Sequence, residues 1–257
     1  MFGPVLAASP SNQPISAAAA RELLSGVCDT GGESGTCTPC PDFTTDATNG
    51  LGAGLRPTSV IYGKFTDPKH TDALVDMSGC EPYENNYGVS LRLRWQGRTA
   101  WELVNYFQGF RSSHCLKYPA QGGRELLLCQ GDYVVRYTLV HSLALFDLKQ
   151  PKVQTQLLLR VFDSANNCLP SGGRQSLLSW RSLPGGRYPG LQITLMSAAY
   201  TRAGQTQADP CGGTLTTTPS RAYTLDYTYD GAKFRPTPAT SRALAALQRD
   251  NPDLLGE

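Results

Sequence analysis

The sequence predicts an all-β fold that is stabilised by disulfides and has a short helix near each end. After Pro57, short apolar runs alternate with Gly, Pro, Asp and Asn, which is the pattern of many strands joined by turns. The chain also contains eight cysteines, an even number, together with 26 glycines and 18 prolines. Since disulfides persist in oxidising compartments, this composition favours a secreted, periplasmic or cell-envelope protein.

Two helices are predicted from their start signals and spacing. An alanine-rich stretch over residues 15–26 is opened by Ser16 and stopped by Gly26. Residues 240–249 carry two leucines at helical spacing after a Ser/Thr start. We therefore expect one short helix in each of these places.

The chain is expected to divide near residue 58. Residues 1–58 form an N-terminal segment with a short helix and a Cys-rich loop, and residues 59–257 form a β-rich domain that ends in a short helix. Residues 1–8 resemble the end of a signal peptide, with its small residues but without its charged start; a flexible N-terminus is the alternative.

One disulfide is predicted by its position in a hairpin. Cys115 and Cys129 are equidistant from Gly122, which lies in a turn-like Ala-Gln-Gly-Gly sequence. If residues 116–118 and 125–128 are the two arms, the cysteines face each other across the strands, within reach of a disulfide. We therefore expect this pair to be bridged.

The other cysteines are harder to pair. Cys28, Cys37 and Cys40 form an N-terminal cluster that we expect to be disulfide-bonded, although a Cys-x-x-Cys half of a zinc site is the alternative. Cys168 and Cys211 remain as a further candidate pair, and the cluster and Cys80 leave the connectivity open. The eight disulfide candidates are Cys28, Cys37, Cys40, Cys80, Cys115, Cys129, Cys168 and Cys211.

Two hairpins share one aromatic pattern. Residues 91–95 and 99–104 flank a Gln-Gly-Arg turn, and residues 223–229 and 232–235 flank Asp-Gly, a strong turn dipeptide. In each, an aromatic residue precedes the turn and another follows it. We infer that the same small unit is used twice.

A second repetition concerns Gly-Gly-Arg. It occurs at residues 122–124, 172–174 and 185–187, each time before an apolar stretch, and so predicts three turns that lead into strands. Residues 139–148 and 156–162 are predicted to be long central strands, with a buried helix as the alternative for either.

One segment resembles the FG-GAP repeat of integrin-type β-propellers. Its apolar strand follows a loop with the sequence Gly63-Lys64-Phe65-Thr66-Asp67-Pro68-Lys69-His70-Thr71-Asp72. The resemblance covers residues 59–105 and, more faintly, 186–236, and it implies degenerate or incomplete β-propeller-like repeats of a bacterial envelope protein. A β-sandwich is the alternative, because too few repeats are visible for a closed propeller.

The loop departs from the calcium-binding pattern of that family. The family's oxygen ligands align with Lys64, Thr66 and Pro68, and among these Lys64 adds a positive charge while Pro68 has no side-chain oxygen. Only Asp72 keeps its place. We predict that this loop binds no calcium.

Composition and motifs exclude several function classes. The formal net charge is +2 without a concentrated basic run, which argues against nucleic acid, and no apolar run approaches the roughly 20 residues of a spanning helix. The three histidines, His70, His114 and His141, show no metal-ligand spacing, and His141 is expected to be a core or edge residue. No G-x-S-x-G nucleophile motif is present. We therefore assign no catalytic residue, cofactor or metal.

Two groups of side chains remain as leads. The first group is an acidic cluster that consists of Asp67, Asp72, Asp76, Glu81 and Glu84. It could supply the two carboxylates of a hydrolase, but a solvated surface is the favoured interpretation. The second group is an aromatic cluster that consists of Trp95, Trp101, Tyr106, Phe107 and Phe110. It could form a platform that binds sugars or a protein, but packing in the core is the favoured interpretation.

The leading functional hypothesis is a secreted or cell-envelope protein without enzymatic activity that has a structural role or binds a macromolecule, such as a protein or glycan of the envelope. The alternative is a secreted hydrolase that acts on carbohydrate or peptidoglycan.

Overall fold

The structure is a computed structural model that describes residues 13–25, 27, 56–78, 89–97, 101–108, 110, 112, 114–135, 138–149 and 153–250. It is mostly β, with more than half of the described residues in strands, and it has one short helix near each end. These features of the predicted fold class are confirmed. The sheets do not close on themselves.

The helices are α1 (Ala17–Leu24) and α2 (Pro238–Asp250). The strands in chain order are β1 (Gln13–Pro14), β2 (Arg56–Gly63), β3 (Asp72–Ser78), β4 (Val89–Trp95), β5 (Trp101–Gln108), β6 (Cys115–Pro119), β7 (Glu125–Val135), β8 (Thr138–Asp147), β9 (Gln154–Asp163), β10 (Ser171–Leu183), β11 (Gly190–Ala203), β12 (Thr214–Thr217), β13 (Arg221–Tyr229) and β14 (Phe234–Pro236).

The described residues group into two compact units. The first unit comprises those within 9–129 and 145–155, and the second comprises those within 130–144 and 156–257. Strands β7 and β8 each contribute residues to both units.

Helix α1 begins where its cap predicts. The Ser16 hydroxyl accepts a hydrogen bond from the backbone N–H of Ala19, at 3.2 Å, and so satisfies one of the donors that a helix start leaves open. Leu23 and Leu24 are buried on one face of the helix. They pack against Val60, Val75, Leu91 and other apolar residues of the first unit's sheet.

The sheet of the first unit is antiparallel in the order β1-β2-β3-β4-β5. Because successive side chains of a strand point to opposite faces, β3 contributes Val75 to the core with α1 and Leu74 to a second core. The second core also contains Ile61, Phe65, Phe107, Phe110, Cys115, Leu127, Cys129 and Leu148. This sheet is therefore buried on both faces.

The hairpin of β6 and β7 has the predicted register and disulfide. Cys115 lies directly opposite Cys129, the two are bonded, and their Cα atoms are 4.0 Å apart. Gly122, at the centre of the turn, has a φ of 75°, a left-handed conformation that glycine adopts without steric cost.

The loop between β2 and β3 is held against this hairpin. Phe65 is fully buried in the second core, and the Arg124 guanidinium donates to its carbonyl oxygen at 3.0 Å. The backbone of Lys64 donates to Glu125 Oε2 at 2.8 Å and accepts from the Glu125 N–H at 3.0 Å. Phe65, in the segment that resembles an FG-GAP loop, therefore packs into the core, while Lys64 and residues 68–71 of the same segment are exposed.

The second unit contains the antiparallel neighbours β14-β13-β11-β10, with β12 paired to β11. Leu191, Ile193 and Leu195 of β11 alternate into its core, where Leu225 and Leu247 are also fully buried. Leu247 lies on α2, which starts two residues before the predicted Thr240. Strands β8 and β9 confirm the two long strands, so the helical alternative is wrong for both.

One of the three predicted Gly-Gly-Arg turns is wrong. Gly172 and Gly173 lie inside β10, opposite Tyr200 and Ala199 of β11. Neither glycine is among the residues with a positive φ. A Cβ on Gly172 would lie 2.6 Å from the Tyr200 hydroxyl oxygen, so this glycine makes room for a side chain instead of a turn.

Candidate functional site

The best-formed aromatic cluster lies at one end of the first sheet. Trp95 ends β4 and Trp101 begins β5; they are paired across the hairpin, and their ring centroids are 5.3 Å apart. Tyr62, near the end of β2, adds a third ring at 5.9 Å from Trp101. We call Tyr62, Trp95 and Trp101 the aromatic end.

The aromatic end is partly open to solvent. Trp101 is buried, with 7% exposed, whereas Tyr62 is 41% exposed although its ring packs against that of Trp101. Burial, and then the negative charge of Glu22, raise the pKa of Tyr62. The ring is therefore a partly desolvated apolar surface with an acidic neighbour.

A pair of exposed polar residues, Gln96 and Glu102, directly follows Trp95 and Trp101 along the chain. The side-chain amide of Gln96 donates to the Glu102 carboxylate. Because successive side chains of a strand point to opposite faces, Glu102 lies on the other face of β5 from Trp101. Partly exposed aromatic rings at the end of a sheet can bind sugars or protein side chains.

The predicted aromatics do not form one platform. Tyr106 packs with Trp95 and Trp101 against the core under α1, whereas Phe107 and Phe110 lie in the second core on the opposite face of the sheet. Phe107 and Phe110 meet edge to face, with centroids 6.2 Å apart, and both are buried. Among the aromatic side chains that the structure describes, only Tyr62, at the aromatic end, is exposed.

The second hairpin repeats this arrangement. Tyr229 of β13 and Phe234 of β14 are paired and stacked, with centroids 4.6 Å apart, and Tyr188 adds a third ring at 5.7 Å from Tyr229. The Tyr188 ring lies against Gly231, where any Cβ would overlap it. The shared hairpin pattern predicts the pair but not Tyr188, which comes from a distant loop with no local signal.

Three serines saturate the buried carboxylate of Asp76. Its oxygens accept from the hydroxyls of Ser59, Ser90 and Ser112 at 2.9, 2.7 and 2.9 Å, and from the Ser112 N–H at 2.7 Å. Ser59 and Ser90 lie directly opposite Asp76 on the neighbouring strands. The carboxylate thus fastens the segment at Ser112 to the sheet.

The carboxylate of Asp72 also accepts several hydrogen bonds. It is fully buried and accepts from Arg94 Nε at 3.0 Å, and from the N–H and hydroxyl of Thr66 at 3.2 and 2.8 Å. The next arginine on that face, Arg92, is buried over the Phe107 ring, and burial lowers its pKa. The oxygens of Asp72 are therefore occupied by donors of the same loop and sheet.

The histidines and remaining acids are dispersed. His70 contacts Asp67 at 2.8 Å, within an exposed loop of the first unit, while His141 contacts Asp132 at 2.7 Å, within the second unit. His114 is exposed. Glu81 and Glu84 lie outside the described residues. Within the part of the chain that the structure describes, no three His, Cys, Asp or Glu side chains are grouped as a metal site would require.

The described cysteines form two disulfides, Cys115–Cys129 and Cys168–Cys211. The remaining candidates, Cys28, Cys37, Cys40 and Cys80, lie outside the described residues. Neither described helix is long and apolar enough to cross a membrane.

Comparison with protein-family models, with curated proteins and with solved structures gives no match. The function therefore has to be inferred from the geometry of the chain itself.

Proposed function

We propose that the protein is a secreted or cell-envelope protein without enzymatic activity that binds a macromolecule of the envelope, a protein or a glycan, at its aromatic end. The carrying observation is that Tyr62 keeps 41% of its surface exposed while it packs against Trp101. A ring that is held rigidly yet left accessible gives contact area at low entropic cost.

The disulfides support the proposed location. Bonded cysteines in both units are typical of proteins that fold and work outside a reducing cytosol.

The strand order also supports the proposed kinship with FG-GAP repeats. Strands β2 to β5 of the five-stranded sheet form an antiparallel meander with the strand number of one propeller blade, and the two-residue β1 is added at the β2 edge. In this proposal the aromatic end lies on one blade-like repeat of a degenerate array.

The contacts of the predicted acids favour binding over hydrolysis. A glycoside hydrolase needs two carboxylates that face a shared cleft, and one of them must be able to give up a proton. Asp72 and Asp76 instead accept hydrogen bonds from their own sheet and loops, and Asp67 from His70. These three carboxylates are thus committed to structural contacts.

The test is a binding measurement with purified cell-wall sacculi and with a panel of soluble envelope glycans and proteins. Tyr62→Ala is expected to weaken binding at least about tenfold, as loss of a central aromatic contact does. Leu157→Ala is the matched control, because Leu157 is 44% exposed and belongs to the second unit.

Equal binding by wild type and Tyr62→Ala would exclude the aromatic end as the site. Release of sugars or peptides from the sacculi by the wild-type protein would instead establish the hydrolase.

A further inference from the structure

The Cys168–Cys211 disulfide joins two exposed turns of the second unit. Cys168 follows a short 3-10 turn at Ala165–Asn167, and Cys211 lies in the loop between β11 and β12, where it is exposed. Cys168 has a φ of 58°, and it is the only non-glycine residue with a positive φ in the described part of the chain. Such a conformation is unfavourable for a residue with a side chain.

The side chain of Arg202 lies between the same two turns. Its guanidinium donates to the carbonyl oxygens of Cys211, at 2.5 Å, and Ala165, at 2.7 Å. Its Nε is buried and has no acceptor among the described residues. A permanent positive charge is therefore held by carbonyl oxygens of the two turns that the disulfide joins.

Two other side chains complete the surroundings. The Gln205 amide donates to the carbonyl oxygens of Cys168 and Pro210, at 2.6 and 2.5 Å, and so ties the two turns without adding charge. The Asp209 carboxylate lies against Gly212, the residue after Cys211, and places a negative charge on the turn that contains Cys211.

The disulfide of the first unit has the opposite environment. Cys115 and Cys129 are buried in the second core, among Phe107, Leu127 and other apolar side chains. A thiolate cannot approach those sulfurs without opening the core, and an apolar environment disfavours a thiolate.

We propose that Cys168–Cys211 is a thiol–disulfide exchange site whose partner is an external dithiol. The partner's thiolate attacks the exposed Cys211 sulfur, the Cys168–Cys211 bond breaks, and a mixed disulfide forms at Cys211 while Cys168 leaves as a thiolate. The partner's second thiol then displaces Cys211, so the partner is oxidised to a disulfide, the protein gains two electrons, and the two cysteines take up two protons.

Arg202 acts as a positioning residue in this exchange. Its charge stabilises the thiolates that form, and its two hydrogen bonds keep the turns close enough for the disulfide to form again. Relief of the left-handed conformation at Cys168 favours opening of the bond.

The experiment uses the folded full chain with dithiothreitol as the probe. Samples are quenched with N-ethylmaleimide at intervals, and mass spectrometry of peptides measures labelling of each cysteine. We expect Cys168 and Cys211 to be labelled together, at least about tenfold faster than Cys115 and Cys129. Equal rates for the two disulfides, or rates that follow global unfolding in urea, would overturn the proposal.

Variants test the role of charge. Arg202→Gln removes the positive charge and is expected to slow labelling several-fold, whereas Arg202→Lys keeps the charge and should keep most of the labelling rate. Asp209→Asn removes a negative charge and is expected to raise the labelling rate. Gln205→Ala is the control that removes hydrogen bonds between the turns without changing charge. If Arg202→Gln and Gln205→Ala change the rate equally, Arg202 has only a packing role and its assignment is wrong.

Discussion

The Arg124 guanidinium holds the Asp147 carboxylate with two parallel hydrogen bonds, of 2.9 and 3.0 Å, while it also donates to the Phe65 carbonyl oxygen. One side chain thus ties the turn of the β6–β7 hairpin to the end of β8 and to the β2–β3 loop. Paired bonds of this kind are stronger than single neutral ones because charge and geometry both favour them.

Replacement of Arg124 by Ala is expected to lower the free energy of unfolding by about 2 kcal/mol, since it leaves a partly buried carboxylate without its charged donor. Chemical denaturation monitored by circular dichroism measures this. The matched control is Arg174→Ala, because Arg174 is more exposed and reaches Asp163 only at 3.4 Å, so it should cost at most about 0.5 kcal/mol. Equal losses for the two variants would contradict the role given to Arg124.

The same pair predicts an acid dependence. Burial raises the pKa of Asp147, but the hydrogen bonds from Arg124 and the Lys149 N–H outweigh burial, so the net shift is downward from 3.8. A lowered pKa in the folded state contributes stability that is present above pH 4 and is lost as the pH falls through the folded value. Asp147→Asn should therefore flatten the loss of stability between pH 4 and 2, measured by thermal melts across that range; an unchanged slope would contradict it.

Asp76 predicts a larger effect in the core. Asp76→Ala removes the acceptor of four hydrogen bonds and leaves the buried Ser112 N–H unsatisfied, so we expect a loss of about 3 kcal/mol. Ser112→Ala keeps that N–H bond and should cost only about 1 kcal/mol. Urea denaturation of both variants is the measurement, and a smaller loss for Asp76→Ala than for Ser112→Ala would show that the carboxylate does not organise this cluster.

Two turn glycines have similar backbone conformations but differ in the space available for a side chain. Gly97 and Gly231 have φ values of 62° and 91°, but a Cβ on Gly97 would meet nothing within 4 Å, whereas one on Gly231 would overlap the Tyr188 ring. Gly97→Ala is expected to cost about 1 kcal/mol and Gly231→Ala about 3 kcal/mol or more. Similar melting temperatures for the two variants would exclude the packing of Tyr188 on this turn.

Tyr227 predicts an alkaline dependence. Burial raises its pKa to about 12, and its hydroxyl donates to the Leu158 carbonyl oxygen at 3.0 Å. A pKa raised in the folded state gives stability that is present below pH 10 and declines as the pH rises from 10 to 12. Tyr227→Phe should lose about 1 kcal/mol at neutral pH but show a weaker alkaline decline, which denaturation at pH 8 and 11 would measure. A decline as steep as that of the wild type would contradict this assignment.

Local patterns were sufficient for elements that depend on neighbouring residues. Ser16 predicts the start of α1 because a side-chain cap acts within three residues, and the spacing around Gly122 predicts the Cys115–Cys129 pair because a hairpin's register follows from its turn. The Gly-Gly-Arg pattern fails at Gly172 because the same glycine that serves a turn also serves a close contact, here with Tyr200.

The sequence by itself determined the β character, the two helices, the aromatic hairpins and the hairpin disulfide, since these follow from period, turn residues and spacing. Only the tertiary structure decided which aromatic ring is accessible, because Tyr62, Trp101 and Phe110 are all large aromatic side chains whose exposure depends on which face of the sheet they occupy and what covers it. It also decided that Arg202 bonds both Cys211 and Ala165, since Ala165 lies 37 residues away along the chain and is brought to Arg202 by tertiary packing.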